Sequence, residues 1–307
     1  MKNYQAGDLE RLYEKAGVEE DFFVVYGFVT KELAALMHPR SGASWPAETT
    51  ERAAALLEFV RQRGTAHPRE VDEHFAHGRV TNYRGGSSNA TTHLLGQMQY
   101  RGMLRVARRE KGIRIYAAHE HGPGPADENE RSLRIDALAD AAVRIYAPLH
   151  AGGLQYLIRR LRYAVPQWQG EITAAVKCAK ERLSHALIDG VDWYWPAGER
   201  ATGHAAEERV RLLTPFDAVV WDRDRLELLW GWVYRFEAYT PTAKRMMGYY
   251  ALPLLWRDQV IGWGNLSVSE GKLNSEFGYA SGKAPRDRAF RRELEAELER
   301  MRGFPGV

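Results

Sequence analysis

The stretch SSNATTHLLGQMQYRGMLRVARREKGIRIY, Ser87 to Tyr116, decides how the first half of this chain folds. Ser87, Ser88 and Asn89 offer side-chain oxygens that cap a helix. Leu94, Leu95 and Met98 then recur at helical spacing as far as Arg101, and Gly102 stops the run. Two strand-like runs follow, 103–107 and 113–117, joined by the basic turn Arg108-Arg109-Glu110-Lys111-Gly112. Upstream lie a helix over 49–62, with Ala54 and Leu57 on its apolar stripe, and a shorter one over 69–75 behind Pro68. Helix, short helix, helix, hairpin is the order of a winged helix-turn-helix, in which the last helix faces the major groove and the hairpin is the wing.

The same punctuation extends in both directions. Short helices are expected over 8–16 and 30–37, with Asp8 and Thr30 as caps. The linker 120–127 separates the first winged unit from helices over 130–147, 154–163 and 169–175. An alternating run over 185–195, turning at Asp189-Gly190, closes a second such unit. After the linker 197–208 the character changes. Strands are expected over 210–213, 234–239, 248–256, 259–269 and 272–279, with helices over 223–230 and 287–301. The fold class that follows is α+β: tandem winged helix-turn-helix units and a small C-terminal β-barrel. Its expected segments are 1–48, a remnant of a first winged unit, then 49–121, 122–208 and 209–307.

Composition narrows the function classes. The 307 residues are 45% hydrophobic and 27% charged, in the range of a folded globular protein. Lys and Arg number 43 against 40 Asp and Glu, a formal charge of +3 that is too small to prove a polyanionic partner. The single cysteine, Cys178, excludes an internal disulfide and a cysteine-rich zinc site. There is no run of about 18 apolar residues and no apolar core near Met1, so a cytoplasmic protein is expected, with no membrane partner. Neither a Gly-x-Gly-x-x-Gly nor a P-loop is present, and no nucleotide or other cofactor is expected.

Residues 212–226, which read Leu-Leu-Thr-Pro-Phe-Asp-Ala-Val-Val-Trp-Asp-Arg-Asp-Arg-Leu, form a specific block with 234–245 and 248–255. This block resembles the bacterial winged-helix DNA glycosylases of the YcaQ/AlkZ type, and 102–109 and 114–116 resemble that family's second winged unit. The resemblance covers the chain from about residue 8 onward. It implies excision of alkylated or crosslinked bases, double-stranded DNA as partner, and winged units with a β-barrel around a basic channel. It also implies a Gln-x-Gln or Gln-x-Asp pair near the N-terminus that positions the hydrolytic water. No such pair precedes 8–40 here, and Val24 to Thr30 stands where the family has a polar Trp-Ala-His-Glu-Ala-Ser-like stretch. A catalytically silent DNA-binding homologue is therefore the alternative expectation.

Gln97-Met98-Gln99 and Gln167-Trp168-Gln169 carry the right letters at other positions. Asp217 is the remaining candidate catalytic carboxylate, because an acid beside a glycosidic bond stabilises an oxocarbenium-like centre; its competing reading is a turn cap. The candidate DNA contacts are Arg84, Gln97, Arg101, Arg108, Arg109 and Lys111, with Lys244 and Arg245 facing phosphate in the family-like reading. No metal set is expected. His119 and His121 fall in a linker, and His67, His74 and His77 lie around one helix without a suitable acid partner.

Overall fold

The computed structural model describes residues 7–42, 44–81, 86–200, 203 and 205–303, and the chain divides into two compact units. The first takes Gly7–Arg144 and Leu154–Leu183; the second takes Ile145–Gly153 and 184–303. The candidate contact Arg84 lies outside the described residues.

The first unit opens with α1 (Asp8–Leu12), the hairpin β1 (Val18–Phe22) and β2 (Tyr26–Thr30), and α2 (Lys31–Met37). Thr30 caps α2, its hydroxyl accepting from the Leu33 N–H at 3.2 Å. Next come α3 (Ala47–Arg63), α4 (Pro68–Phe75), the hairpin β3 (Arg79–Thr81) and β4 (Ser87–Asn89), and α5 (Ala90–Tyr100). Pro68 sits in the first turn of α4, and His67 with Glu70 closes a capping box at its start. Helix α5 thus begins at Ala90, directly after the expected capping residues. Asn89 caps it, accepting from the Thr92 N–H at 2.8 Å, while residues 87–89 pair with 79–81 as a strand.

Gly102 reverses the chain into β5 (Leu104–Glu110) and β6 (Ile113–Ala118), which pair antiparallel as the expected hairpin. Lys111 and Gly112 both take positive φ at its tip, the geometry of a two-residue hairpin turn. Ala53, Leu56, Val60, Val71, Leu94, Leu95, Met98, Leu104 and Val106 make one core beneath these elements. Each fully buried aliphatic side chain there contributes about 1.5–3 kcal/mol. The helices α6 (Glu128–Tyr146), α7 (Ala151–Arg160) and α8 (Ile172–Arg182) follow, interrupted by the short strand β7 (Leu149–His150).

The second unit places β7 beside β9 (Val191–Trp195), which pairs with β8 (Ser184–Ile188) through the expected Asp189-Gly190 turn. Beyond it β10 (Val210–Leu212), α9 (Arg223–Trp230), β11 (Leu252–Trp256), β12 (Gln259–Ser269), β13 (Lys272–Tyr279) and α10 (Arg288–Arg302) complete the chain. The strands run in the order β10-β11-β12-β13, an open antiparallel sheet rather than the expected barrel. The reason is local. β10 has only three residues, β11 breaks register between Leu254 and Leu255, and α10 lays Phe290, Leu294 and Met301 on a core shared with Val210, Leu254 and Trp256. A helix covers this apolar surface, so closure is not needed to bury it.

Residues 234–239 are not the expected strand either. The Glu237 carboxylate collects the backbone N–H groups of Met246, Met247 and Gly248, and this holds 234–250 as a compact loop. The structure is α+β, built from several small antiparallel sheets. Among the described residues no helix is long and apolar enough to cross a membrane.

Candidate nucleic-acid interface

Helix α5 turns Leu94, Leu95 and Met98 inward, so Thr92, His93 and Gln97 fall on its outer face. That face lines a cleft of about 500 Å³ together with Trp45, Tyr100 and Arg101. Gln97 and His93 hydrogen-bond at 2.9 Å, one helical turn apart. The Arg101 guanidinium lies 4.0 Å over the Trp45 ring, a cation–π contact that fixes its reach. Of the sequence-derived contacts, the structure brings Gln97 and Arg101 into one cleft.

The arginines of the β5–β6 hairpin have another occupation. Strand β1 carries Glu19, Glu20 and Asp21 in succession, and all three are buried. A buried carboxylate needs a partner, and each finds one. Glu19 takes Arg105 at 2.8 Å, and Glu20 takes Arg109 through two contacts of 2.7 Å with Arg114 nearby at 3.7 Å. Asp21 takes His38 at 2.6 Å and Arg40 at 2.7 Å. Arg109 is thus turned onto β1. Arg108 pairs with Glu110 on its own hairpin, and Lys111 stands exposed at the tip.

Arg40 is the centre of this network. Its fully buried side chain donates to Asp21 and to the carbonyls of Ala164, Tyr100 and Phe22. Burial alone would raise the Asp21 carboxyl, but the His38 hydrogen bond and the Arg40 charge outweigh it and hold it below the usual carboxylate range.

Three histidines gather behind it. His38 stacks on His121 with ring centroids 5.1 Å apart, and His119 lies 5.8 Å from His38 and 4.4 Å from His121. Burial first, then the neighbouring His121 and His38, pushes His119 down to about 4; burial lowers His121 as well. By sequence, His119 and His121 fall in a linker. In the structure the His119 N–H extends the β5–β6 pairing by donating to the Met103 carbonyl at 3.0 Å. His38 joins them only through the fold; the one signal in the sequence was the i, i+2 spacing of His119 and His121, which puts both on one side of an extended chain.

In the second unit Asp217 behaves as a turn cap. Its carboxylate accepts from the Val219 N–H at 2.9 Å and its carbonyl from Val220 and Trp221. Asp222 caps α9, accepting from the Arg225 N–H, while Arg225 itself spends its guanidinium on four backbone carbonyls. Lys244 and Arg245 sit on the loop that Glu237 organises. Arg245 donates to the Thr240 carbonyl and lies 5.0 Å over the Tyr249 ring. Tyr239, Met246 and Tyr249 on that loop are 80%, 72% and 60% exposed, unusual for large apolar groups on a fixed loop.

Neither Gln-x-Gln stretch forms a pair around one point. Gln97 faces the cleft, but Gln99 is buried and donates to the Glu20 carbonyl at 2.7 Å. Gln167 lies 3.4 Å and 3.3 Å from the carbonyls of Met37 and Pro39, and Gln169 is exposed.

A family model described as DNA glycosylase AlkZ-like matches residues 1–304. No solved structure matches the chain.

Proposed function

The chain belongs to the DNA glycosylase AlkZ-like family, and from that premise we propose that it binds double-stranded DNA at alkylated or crosslinked bases as part of cytoplasmic DNA repair. In this reading 49–121 and 122–208 are winged helix-turn-helix units, α5 is the recognition helix, and β5–β6 is the wing. The observation that carries it is the outer face of α5, where His93, Gln97 and Arg101 line one open cleft. Gln97 and Arg101 present base-edge and phosphate contacts there, Arg108 and Lys111 reach phosphate from the wing, and Arg109 holds the wing in place. Lys244 and Arg245 supply phosphate contacts from the second unit, beside exposed tyrosines suited to stacking.

Binding without excision is the second reading, and one observation favours it. Gln99 and Gln167 are both committed to backbone carbonyls, so neither Gln-x-Gln pair is disposed to position a water. Asp217 is the carboxylate through which excision would otherwise run. Incubating the 307-residue chain with N7-alkylguanine DNA and measuring free base by mass spectrometry separates the two. Release that is lost in Asp217→Asn supports the enzyme, and tight duplex binding with no released base supports the silent homologue.

A further inference from the structure

Two buried polar atoms of the second unit are left over by its hydrogen bonds. His150 lies on β7, where pairing with Trp193 of β9 fixes its place. Asp222 caps α9 through Oδ1, which accepts from the Arg225 N–H at 3.1 Å. The Asp222 side chain is only 8% exposed, and its Oδ2 finds no hydrogen-bond partner among the described residues. The His150 Nε2 is left over in the same way, 3.4 Å from that oxygen. Buried polar groups are nearly always paired, so two such atoms side by side call for a physical cause.

Their separation supplies one. A charge-assisted N–H to carboxylate bond is about 2.7–2.9 Å long, whereas these atoms stand 3.4 Å apart without hydrogen-bond geometry. A tetrahedral zinc-class ion holds nitrogen and oxygen ligands at about 2.0–2.2 Å, which sets neighbouring ligand atoms about 3.3–3.5 Å apart. Asp224 offers a third ligand from the first turn of α9; one ligand atom from each of His150, Asp222 and Asp224 lies within 4.8 Å of the others. Asp224 is exposed, so a rotamer change can bring its carboxylate closer. A Cβ at residue 153 would overlap the Asp222 Oδ2 and come within 3.0 Å of the His150 Nε2, so the two atoms share this space only because that residue is glycine. The arginines of the same helix end are spent elsewhere, Arg223 on the carbonyls of Val220 and Pro215 and Arg225 on four others.

We propose that His150 Nε2, Asp222 Oδ2 and the Asp224 carboxylate bind a divalent transition ion of the zinc class, with water in the fourth position, and that the ion pins residues 145–153 to the start of α9. The role is structural and does not depend on the DNA-binding reading. Arg225 already ties the same segment to α9 through the carbonyls of Tyr146 and Pro148; the ion fastens the residues that follow. Ligation through Nε2 places the ring proton on Nδ1. The Gly153 N–H approaches Nδ1 at 3.4 Å, longer than the usual 2.7–3.2 Å, and the ring turns away from it when the ion binds. In the competing state Nδ1 remains an acceptor, Nε2 keeps the proton, and His150 with Asp222 is a metal-free ion pair.

The test is a Co²⁺ titration of the tag-free full chain followed by visible absorption, with Zn²⁺ competition, thermal unfolding and ¹⁵N-histidine NMR as further readouts. One equivalent of Co²⁺ with ligand-field bands, displaced by Zn²⁺ and raising the melting temperature, is expected for the native chain and for Cys178→Ser, which removes the single exposed thiol. Asp224→Ala, at an exposed position, and Asp222→Asn, which keeps the helix cap, should each weaken Co²⁺ binding by at least the roughly 10–100-fold that loss of an outer-shell partner costs. With Zn²⁺ bound, the His150 ring proton should sit on Nδ1. Absence of stoichiometric binding overturns the proposal. So do binding that is unchanged in Asp224→Ala and Asp222→Asn, binding that is lost in Cys178→Ser, and a His150 proton that stays on Nε2 in the presence of Zn²⁺.

Discussion

The Arg109 guanidinium grips the Glu20 carboxylate with two contacts of 2.7 Å, tying the β5–β6 hairpin to a strand of the same unit. Glu20 is 1% exposed, so Arg109→Ala strands a buried charge with the Tyr26 hydroxyl at 3.0 Å and Arg114 at 3.7 Å left to offset it. Removing one partner of a fully buried pair costs about 3–5 kcal/mol. With Arg114 remaining and Arg109 partly solvated, about 2–3 kcal/mol is expected from urea unfolding. Lys111→Ala, on an exposed turn, should stay within about 0.5 kcal/mol of the native chain. Equal stabilities for the two variants would show that the pair is not structural.

Arg40 satisfies four backbone or carboxylate oxygens from a fully buried site. Lysine has the charge but not the planar fork, so Arg40→Lys leaves some of these acceptors unpaired. A loss of roughly 3 kcal/mol or more is expected in equilibrium unfolding, because each buried unsatisfied group costs about 1–3 kcal/mol. A change below about 1 kcal/mol, within the ordinary range for a surface site, contradicts this placement.

Glu237 gives the second-unit loop a pH dependence. Burial raises its carboxyl, but the N–H groups of Met247, Met246 and Gly248 outweigh this and lower it. The folded state therefore binds its proton less readily than the unfolded state, whose pKa is about 4.3. The stabilisation is complete above that value and is lost as pH falls through the lower folded pKa. Amide exchange of Met246 and Met247 should accelerate below about pH 4, the unfolded glutamate range, and Glu237→Gln should remove the acid-dependent step. An identical acid profile in Glu237→Gln assigns the step elsewhere.

Lys244 and Arg245 sit on that same loop. Lys244→Ala/Arg245→Ala should weaken binding to all duplex sequences about equally, because phosphate contacts position a protein without specifying sequence. Sequence-dependent loss, or unchanged affinity with an intact circular dichroism spectrum, removes the loop from the interface.

Much of this architecture was legible from local signals. Gly102 and Gly112 mark the ends of the β5–β6 hairpin's first arm, Asp189-Gly190 marks a hairpin whose turn residues take positive φ, and α9 occupies its expected bounds, Arg223–Trp230. The β1–β2 hairpin was not legible, because three successive acids read as a solvated run until Arg40, Arg105 and Arg109 arrive from distant positions to bury them. Residues 234–239 alternate like a strand, yet one carboxylate, Glu237, overrides that pattern with side-chain to backbone hydrogen bonds. Of the candidate contacts, the shared cleft of Gln97 and Arg101 follows from helix position alone. The commitment of Arg109 to Glu20 and the entry of His38 beside His119 depend on contacts far apart in sequence, which periodicity does not report.

The central claim is that the α5 face and wing tip contact duplex DNA. The direct measurement is duplex affinity against salt concentration for the native chain and for Gln97→Ala/Arg101→Ala/Lys111→Ala, none of which carries the buried network. The native chain should show log affinity falling linearly with log salt, with a slope of about −0.9 for each phosphate neutralised. The triple variant should bind more weakly with a slope shallower by about one to two units, since it gives up two cations. Native-like affinity and slope in the folded variant, or no duplex binding by the native chain, would contradict the account.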